Sequence, residues 1–215
     1  MTLDTRTMEV LVSRICHDLI SPVSAVSNGA ELIADMGLAS ADDAFDLIRS
    51  SALAASIKLQ AFRLAYGAGG SEWHVSMDDV QKAFGDYLGL EHRYKLEWAI
   101  IGSALPQPLP RGFPKMGMLV LIWAMESLPK GGKVSIRAER DSDERFSLII
   151  EAQGDNAALR EGVEEAFAGT TPSDMLNPKT VHAAVTGYYA RGYDTDITFG
   201  LASPEQVQFR VTARL

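Results

Sequence analysis

Apolar residues in the first third of the chain recur at helical spacing. They fall at Val12, Ile15, Leu19, Val23, Val26, Ala30 and Ile33, steps of three and four that trace the seam of a long amphipathic helix. Gly37 is a natural C-terminal stop. Ser40 then offers an N-cap, with Asp42 in the first turn and Asp43 as capping-box partner. A second seam runs through Phe45, Ile48, Ala52, Ala55, Leu59, Phe62 and Tyr66, and ends at Gly67, Gly69 and Gly70. The spacing predicts helices over roughly 7–37 and 40–67, joined as a hairpin. The second helix carries another apolar line at Ala44, Leu47, Ala54 and Ala61, so its apolar surface is wider than one hairpin can hide. Pairing two hairpins into a homodimeric four-helix bundle would cover it. The rest of the chain folding back would also do so, and the homodimer is the preferred arrangement.

Residues 68–74 read as a linker, after which strands and helices mix. Ser76-Met77-Asp78-Asp79 is a capping box opening a helix to about Leu90. Leu96 to Ile101 is strand-like, and Pro106, Pro108, Pro110 and Pro114 mark a loop. A helix is expected over Lys115 to Leu128, then a turn at Pro129-Lys130-Gly131-Gly132. Val134–Glu139 and Phe146–Ala152 alternate as an antiparallel pair. Helices near 157–168 and 178–191 and strands at Ile197–Phe199 and Val207–Ala213 complete the pattern. The fold class is therefore α+β. A helical hairpin over 1–68 precedes a domain over 72–215 with helices on one face of a mixed sheet.

Composition narrows the function. The 215 residues are 47% hydrophobic and 22% charged, enough apolar content for a sizeable core. A net charge of −8 argues against general nucleic-acid binding and against docking on anionic membranes. The one cysteine, Cys16, allows no intrachain disulfide and no multi-cysteine metal site. The longest apolar run, Met116 to Met125, is too short to span a bilayer, and Met1 to Met8 lacks a signal-peptide core. A cytoplasmic protein, with neither nucleic acid nor membrane as partner, is expected.

The chemistry concentrates in Cys16-His17-Asp18-Leu19-Ile20-Ser21-Pro22. At about 100° per residue, His17 lies roughly 200° from Ile15 and Leu19, on the outer face of the first helix. Ser21, Ser24, Asn28 and Glu31 follow on that side. A neutral imidazole in water is a competent phosphoryl acceptor. The adjacent Asp18 carboxylate can hold one ring N–H, fix the tautomer and raise the basicity of the other nitrogen. Pro22 lacks the N–H that would bond the carbonyl of Asp18, and so loosens the helix one turn past the histidine.

The string His17-Asp18-Leu19-x-x-Pro22 resembles the phosphoacceptor box of sensor histidine kinases, which lies in the first helix of a helical hairpin. The second domain then resembles their ATP-binding domain, with departures that bear on function. Trp123 occupies the place of the magnesium-holding asparagine, and an indole cannot ligate a hard cation. Ala152-Gln153-Gly154-Asp155-Asn156 replaces the adenine-binding aspartate-x-glycine-x-glycine, and Leu176-Asn177-Pro178 stands where a glycine-rich phosphate loop belongs. A kinase scaffold that keeps its histidine and loses its nucleotide site resembles the ChpT-type histidine phosphotransferases of alphaproteobacteria. That resemblance implies a homodimer in which His17 shuttles phosphate between aspartates. The donor would be the receiver domain of a hybrid kinase (CckA-like). The acceptors would be response regulators (CtrA-like, CpdR-like) that govern the cell cycle. It implies no cofactor of the chain's own, magnesium being supplied by the receiver.

His17 and Asp18 are thus the expected catalytic pair, with Arg14, Ser21, Ser24 and Asn28 as docking residues. Arg14 could steady the phosphoryl group or be merely solvated. Cys16 reads as packing, Trp73, Trp98 and Trp123 as core, and His74, His92 and His182 as structural. The competing functions are an active sensor-type kinase and a non-catalytic response-regulator-binding module.

Overall fold

The computed structural model describes residues 4–36, 41–67, 75–100 and 105–214. Gly37, Ser40, the linker, Trp73, His74 and Ile101 lie outside them. The hairpin consists of α1 (Thr5–Met36) and α2 (Ala41–Tyr66), and α1 runs through Pro22 without ending. The capping box forms as expected at α3 (Met77–Gly89): Ser76 accepts from the Asp79 amide, and Asp79 accepts from the Ser76 amide. β1 is Tyr94–Ala99. α4 spans Phe113–Glu126, two residues ahead of the predicted start. Pro114 is therefore not loop but first-turn helix, where its missing N–H costs nothing.

The strands β2 (Gly132–Arg140), β3 (Arg145–Gln153), β4 (Asp196–Ser203) and β5 (Gln206–Arg214) join β1 in one sheet of order β1-β2-β3-β5-β4. Only the β1–β2 pair is parallel. The turn into β2 is built by Gly131 and Gly132, at φ of +87° and +145°; a Cβ on Gly132 would sit 2.3 Å from the Gln153 carbonyl oxygen. α5 is only Val163–Ala168, and α6 is Val181–Gly192. The helix expected from 157 is absent up to Gly162, whose left-handed φ of +80° starts α5 late.

α4 is buried all round between the sheet on one side and α2, α3 and α6 on the other, as expected of a helix apolar on every face. Its Phe113 meets Phe146 of β3 edge-on, ring centroids 4.7 Å apart. The opposite sheet face is polar. Arg137 pairs with Glu139 and Glu151, and Arg210 with Glu139 and Asp141. Ile149, flanked in register by these two arginines, is buried, the stems covering what the heads leave apolar.

The hairpin rests on this domain. Val10 and Leu11 of α1 pack with Val181 and Val185 of α6, and Ala61 and Ala65 of α2 join the main core. Lys115, at the start of α4, donates to the Ala65 carbonyl at 3.4 Å and to the Gly67 carbonyl, with Tyr189 4.5 Å below its ammonium. Burial draws its pKa down to about 8, while the two carbonyls and the ring favour the charged form.

Neither apolar line of α2 is buried as a whole: Phe62 of the predicted seam is buried and Leu47 of the second line is exposed. Ala44 and Ala61 are fully buried, whereas Phe45, Ala52 and Leu59 of the predicted seam are exposed. On α1, Val12, Val23 and Ala30 of the seam are exposed while Pro22 and Gly29 are buried. The cause is close approach: a Cβ on Gly29 would lie 2.7 Å from Cγ1 of Ile48. Gly29 makes room for Ile48 between the helices, while Phe45 and Leu59 face out. Cys16, expected to pack, is likewise exposed. α1 over Thr5–Asp35, rather than α4, is the one helix among the described residues long and apolar enough, by length and composition, to cross a membrane; Arg14 and Asp18 lie within it.

Candidate phosphoacceptor site

Three faces divide α1 near its middle. Residues Pro22, Ala25, Val26 and Gly29 turn toward α2, Val12, Cys16, Ile20 and Val23 form an exposed apolar stripe, and His17 stands on a third, polar side. The His17 side chain is 88% exposed. Its Nδ1 lies 3.3 Å from Oδ1 of Asp18, at the long end for a hydrogen bond. That contact leaves Nε2 directed away from Asp18. Ser21, Ser24 and Asn28 are exposed and continue the polar side over the next three turns.

Asp18 is the better embedded member, its side chain 31% exposed. Its backbone carbonyl accepts a hydrogen bond from Lys58 Nζ of α2 at 2.9 Å. Its charge reaches two buried phenols. Burial first, and Asp18 among the further causes, raises Tyr66 to about 12 and Tyr87 of α3 higher still. The site therefore borders α2 as well as α1.

Arg14 is not solvated. Its guanidinium pairs with Glu126 at the end of α4 and donates to the Pro178 carbonyl at 3.1 Å, leaving the side chain 13% exposed. It holds α1 against the second domain, because a desolvated guanidinium needs fixed acceptors. His182 is structural as read, and it is the other bolt. Nε2 donates to the Leu119 carbonyl at 2.8 Å, and Nδ1 accepts from the Tyr66 hydroxyl at 2.7 Å. A carbonyl only accepts, so the proton is on Nε2. Tyr189 of α6 closes the joint by donating to the Tyr66 carbonyl at 3.1 Å.

Trp123 is buried in an aromatic cluster, with ring centroids of Phe199, Phe209 and Phe167 at 4.6, 5.3 and 5.7 Å. The Trp123 indole is thus enclosed by three phenyl rings. No group of three or more His, Cys, Asp or Glu that could hold a metal occurs among the described residues.

Lys58 is the residue at the site that sequence reasoning missed. Pro22 did signal an orphaned carbonyl at Asp18, but which side chain of α2 would meet it depends on the register of the two helices.

Known proteins match this arrangement along its length. The family model of the histidine phosphotransferase C-terminal domain covers residues 77–214. The protein phosphotransferase ChpT of Brucella abortus (strain 2308) is 34% identical over 179 residues, 82% of this chain and 81% of that protein. A solved bacterial phosphotransferase superposes with a TM-score of 0.79 at 29% identity, over 98% of both chains. These likenesses favour a protein phosphotransferase over an ATP-dependent kinase or a pure binding module. The chain belongs to the histidine phosphotransferase family.

Proposed function

We propose that His17 is the phosphoryl carrier, taking the group from the aspartyl phosphate of one receiver domain and passing it to the aspartate of another. The observation that carries this reading is the geometry of the pair: an imidazole 88% exposed with only its Nδ1 engaged, by Asp18. The Nε2 lone pair forms the P–N bond as the P–O bond to the aspartate breaks, and that aspartate leaves as a carboxylate. The ring gains positive charge, which the Asp18 carboxylate beside Nδ1–H offsets. Onward transfer is the reverse, with a second aspartate as nucleophile. The transition state is loose, so alignment and charge neutralisation dominate. Magnesium comes from the receiver's acidic pocket; this chain contributes no cofactor.

The receiver docks along Ser21, Ser24 and Asn28. By family resemblance the donor belongs to a hybrid kinase (CckA-like) and the acceptors are CtrA-like and CpdR-like regulators of the cell cycle. The protein works in the cytoplasm as a homodimer through the exposed stripes of α1 and α2, leaving one His17 on each flank.

The test is incubation of purified protein with a phosphorylated receiver. Wild type acquires label and His17→Ala does not. Because the side chain is so exposed, the variant should keep the wild-type circular dichroism and melt within about 0.5 kcal/mol of it. Label on the variant at the wild-type rate would refute the assignment.

A further inference from the structure

The carbonyl of residue i in an α-helix accepts from the amide of residue i+4. For Asp18 that residue is Pro22, which has no N–H. α1 nevertheless continues to Met36. An unpaired carbonyl at such a point lets the helix open into a kink. Here the carbonyl is not unpaired: Lys58 Nζ donates to it at 2.9 Å, from a half-buried position on α2. An ammonium on a carbonyl is a charge-assisted bond, stronger than the amide bond it replaces. Pro22 itself is buried on the side of α1 that faces α2, so the gap and its replacement donor share one interface.

The position of this contact matters for chemistry. Asp18 is held at both ends, its backbone by Lys58 and its carboxylate against Nδ1 of His17. His17 precedes the proline, whereas the polar stripe of Ser21, Ser24 and Asn28 straddles and follows it. Any change in bend at Pro22 therefore rotates the nucleophile relative to the surface beside it. We propose that Lys58 is a positioning residue for phosphoryl transfer: by supplying the donor that Pro22 lacks, it sets the bend of α1 and aims His17 at a receiver docked beyond it. This rests on His17 being the acceptor.

A double-mutant cycle with Pro22 separates this role from a general structural one. Lys58→Met keeps the stem and removes the donor. It should slow single-turnover transfer from a phosphorylated receiver tenfold or more, since a shift of about 1 Å costs up to about 100-fold, with a much smaller change in receiver affinity. Lys58→Arg, which keeps a cationic donor, should recover most of the rate. Pro22→Ala restores the helical amide, so in that background Lys58→Met should cost less than about twofold. Equal losses in both backgrounds, or no loss from Lys58→Met alone, would overturn the proposal. The second measurement needs no phosphate: in the full-length protein, the Asp18 carbonyl carbon shift and the His17 ring-nitrogen shifts should both move in Lys58→Met and return in Lys58→Arg. Unchanged shifts would also overturn it. A wild type that accepts no label would instead refute the role of His17, and the carbonyl shift would still decide whether Lys58 holds the turn.

Discussion

At the scale of single residues, the molecule places the imidazoles of His17 and His182 in opposite environments. His17 stands in water beside one carboxylate. His182 is fully enclosed, and burial, with the nearby Arg14 charge adding to it, holds its pKa down to about 3 from an ordinary 6.5. The consequence is a stability that depends on acid in a defined direction. Between those two values the unfolded chain binds a proton that the folded chain refuses. This contribution is therefore fully present above pH 6.5 and is lost as pH falls toward 3, by up to about 1.4 kcal/mol per pH unit. His182→Gln removes the titration and can keep a donor for the Leu119 carbonyl. Denaturant melts at pH 7, 5 and 4 should show a shallower fall for the variant than for wild type; parallel curves would mean that His182 is protonated in the native state.

At the scale of elements, the hairpin helices bury part of their apolar surface within the chain and leave the rest exposed. Ile48 is half-buried against Gly29, while Phe45 and Leu59 are 56% and 53% exposed. A charge at each place has a different expected result. Leu59→Glu or Phe45→Glu removes apolar surface available to a second hairpin, and sedimentation should show monomers that melt nearly as the parent monomer would. Ile48→Glu forces a charge between α1 and α2, and should unfold the hairpin as well, because an unpaired buried charge costs several kcal/mol. Gly29→Ala should destabilise in the same sense through overpacking, by about 1–3 kcal/mol. A wild type that sediments as a monomer at micromolar concentration would leave the exposed stripes without the partner proposed for them.

At the scale of the whole molecule, the hairpin is fastened to the second domain by buried polar joints rather than tethered by a linker alone. Arg14–Glu126, Tyr66–His182 and Lys115 with the last carbonyls of α2 are spread along that contact. The second domain contributes a platform, in which Trp123 is enclosed by three phenylalanines. Millimolar ATP with magnesium should therefore leave the melting temperature unchanged, since a ligand stabilises only by binding the folded state. Trp123→Ala should cost about 3–5 kcal/mol by opening a cavity in this cluster, without creating nucleotide affinity. A clear rise in melting temperature with ATP, in either protein, would contradict this account of the domain.

Local pattern by itself determined a good deal of this protein. Helical spacing placed α1, α2 and α6 to within a few residues, alternation placed β2, β3 and β5, and Ser76 with Asp79 marked the start of α3. The angular argument that put His17 outside needed only the period of one helix, and so did the inference that Pro22 leaves the Asp18 carbonyl without its amide. What escaped the sequence were facts about facing surfaces. Two apolar lines on α2 have equal claim to burial when read alone; the close approach at Gly29 brought Ala44 and Ile48 inside the hairpin and the second domain's core took Ala61, while Phe45 and Leu59 stayed exposed. Arg14 reads as a free cation until the end of α4 brings Glu126 beside it. Lys58 lies forty residues from Asp18 and bears no motif. Periodicity records which side chains share one face, but burial and hydrogen bonding are satisfied between faces, and the register that joins them exists only once the helices have packed.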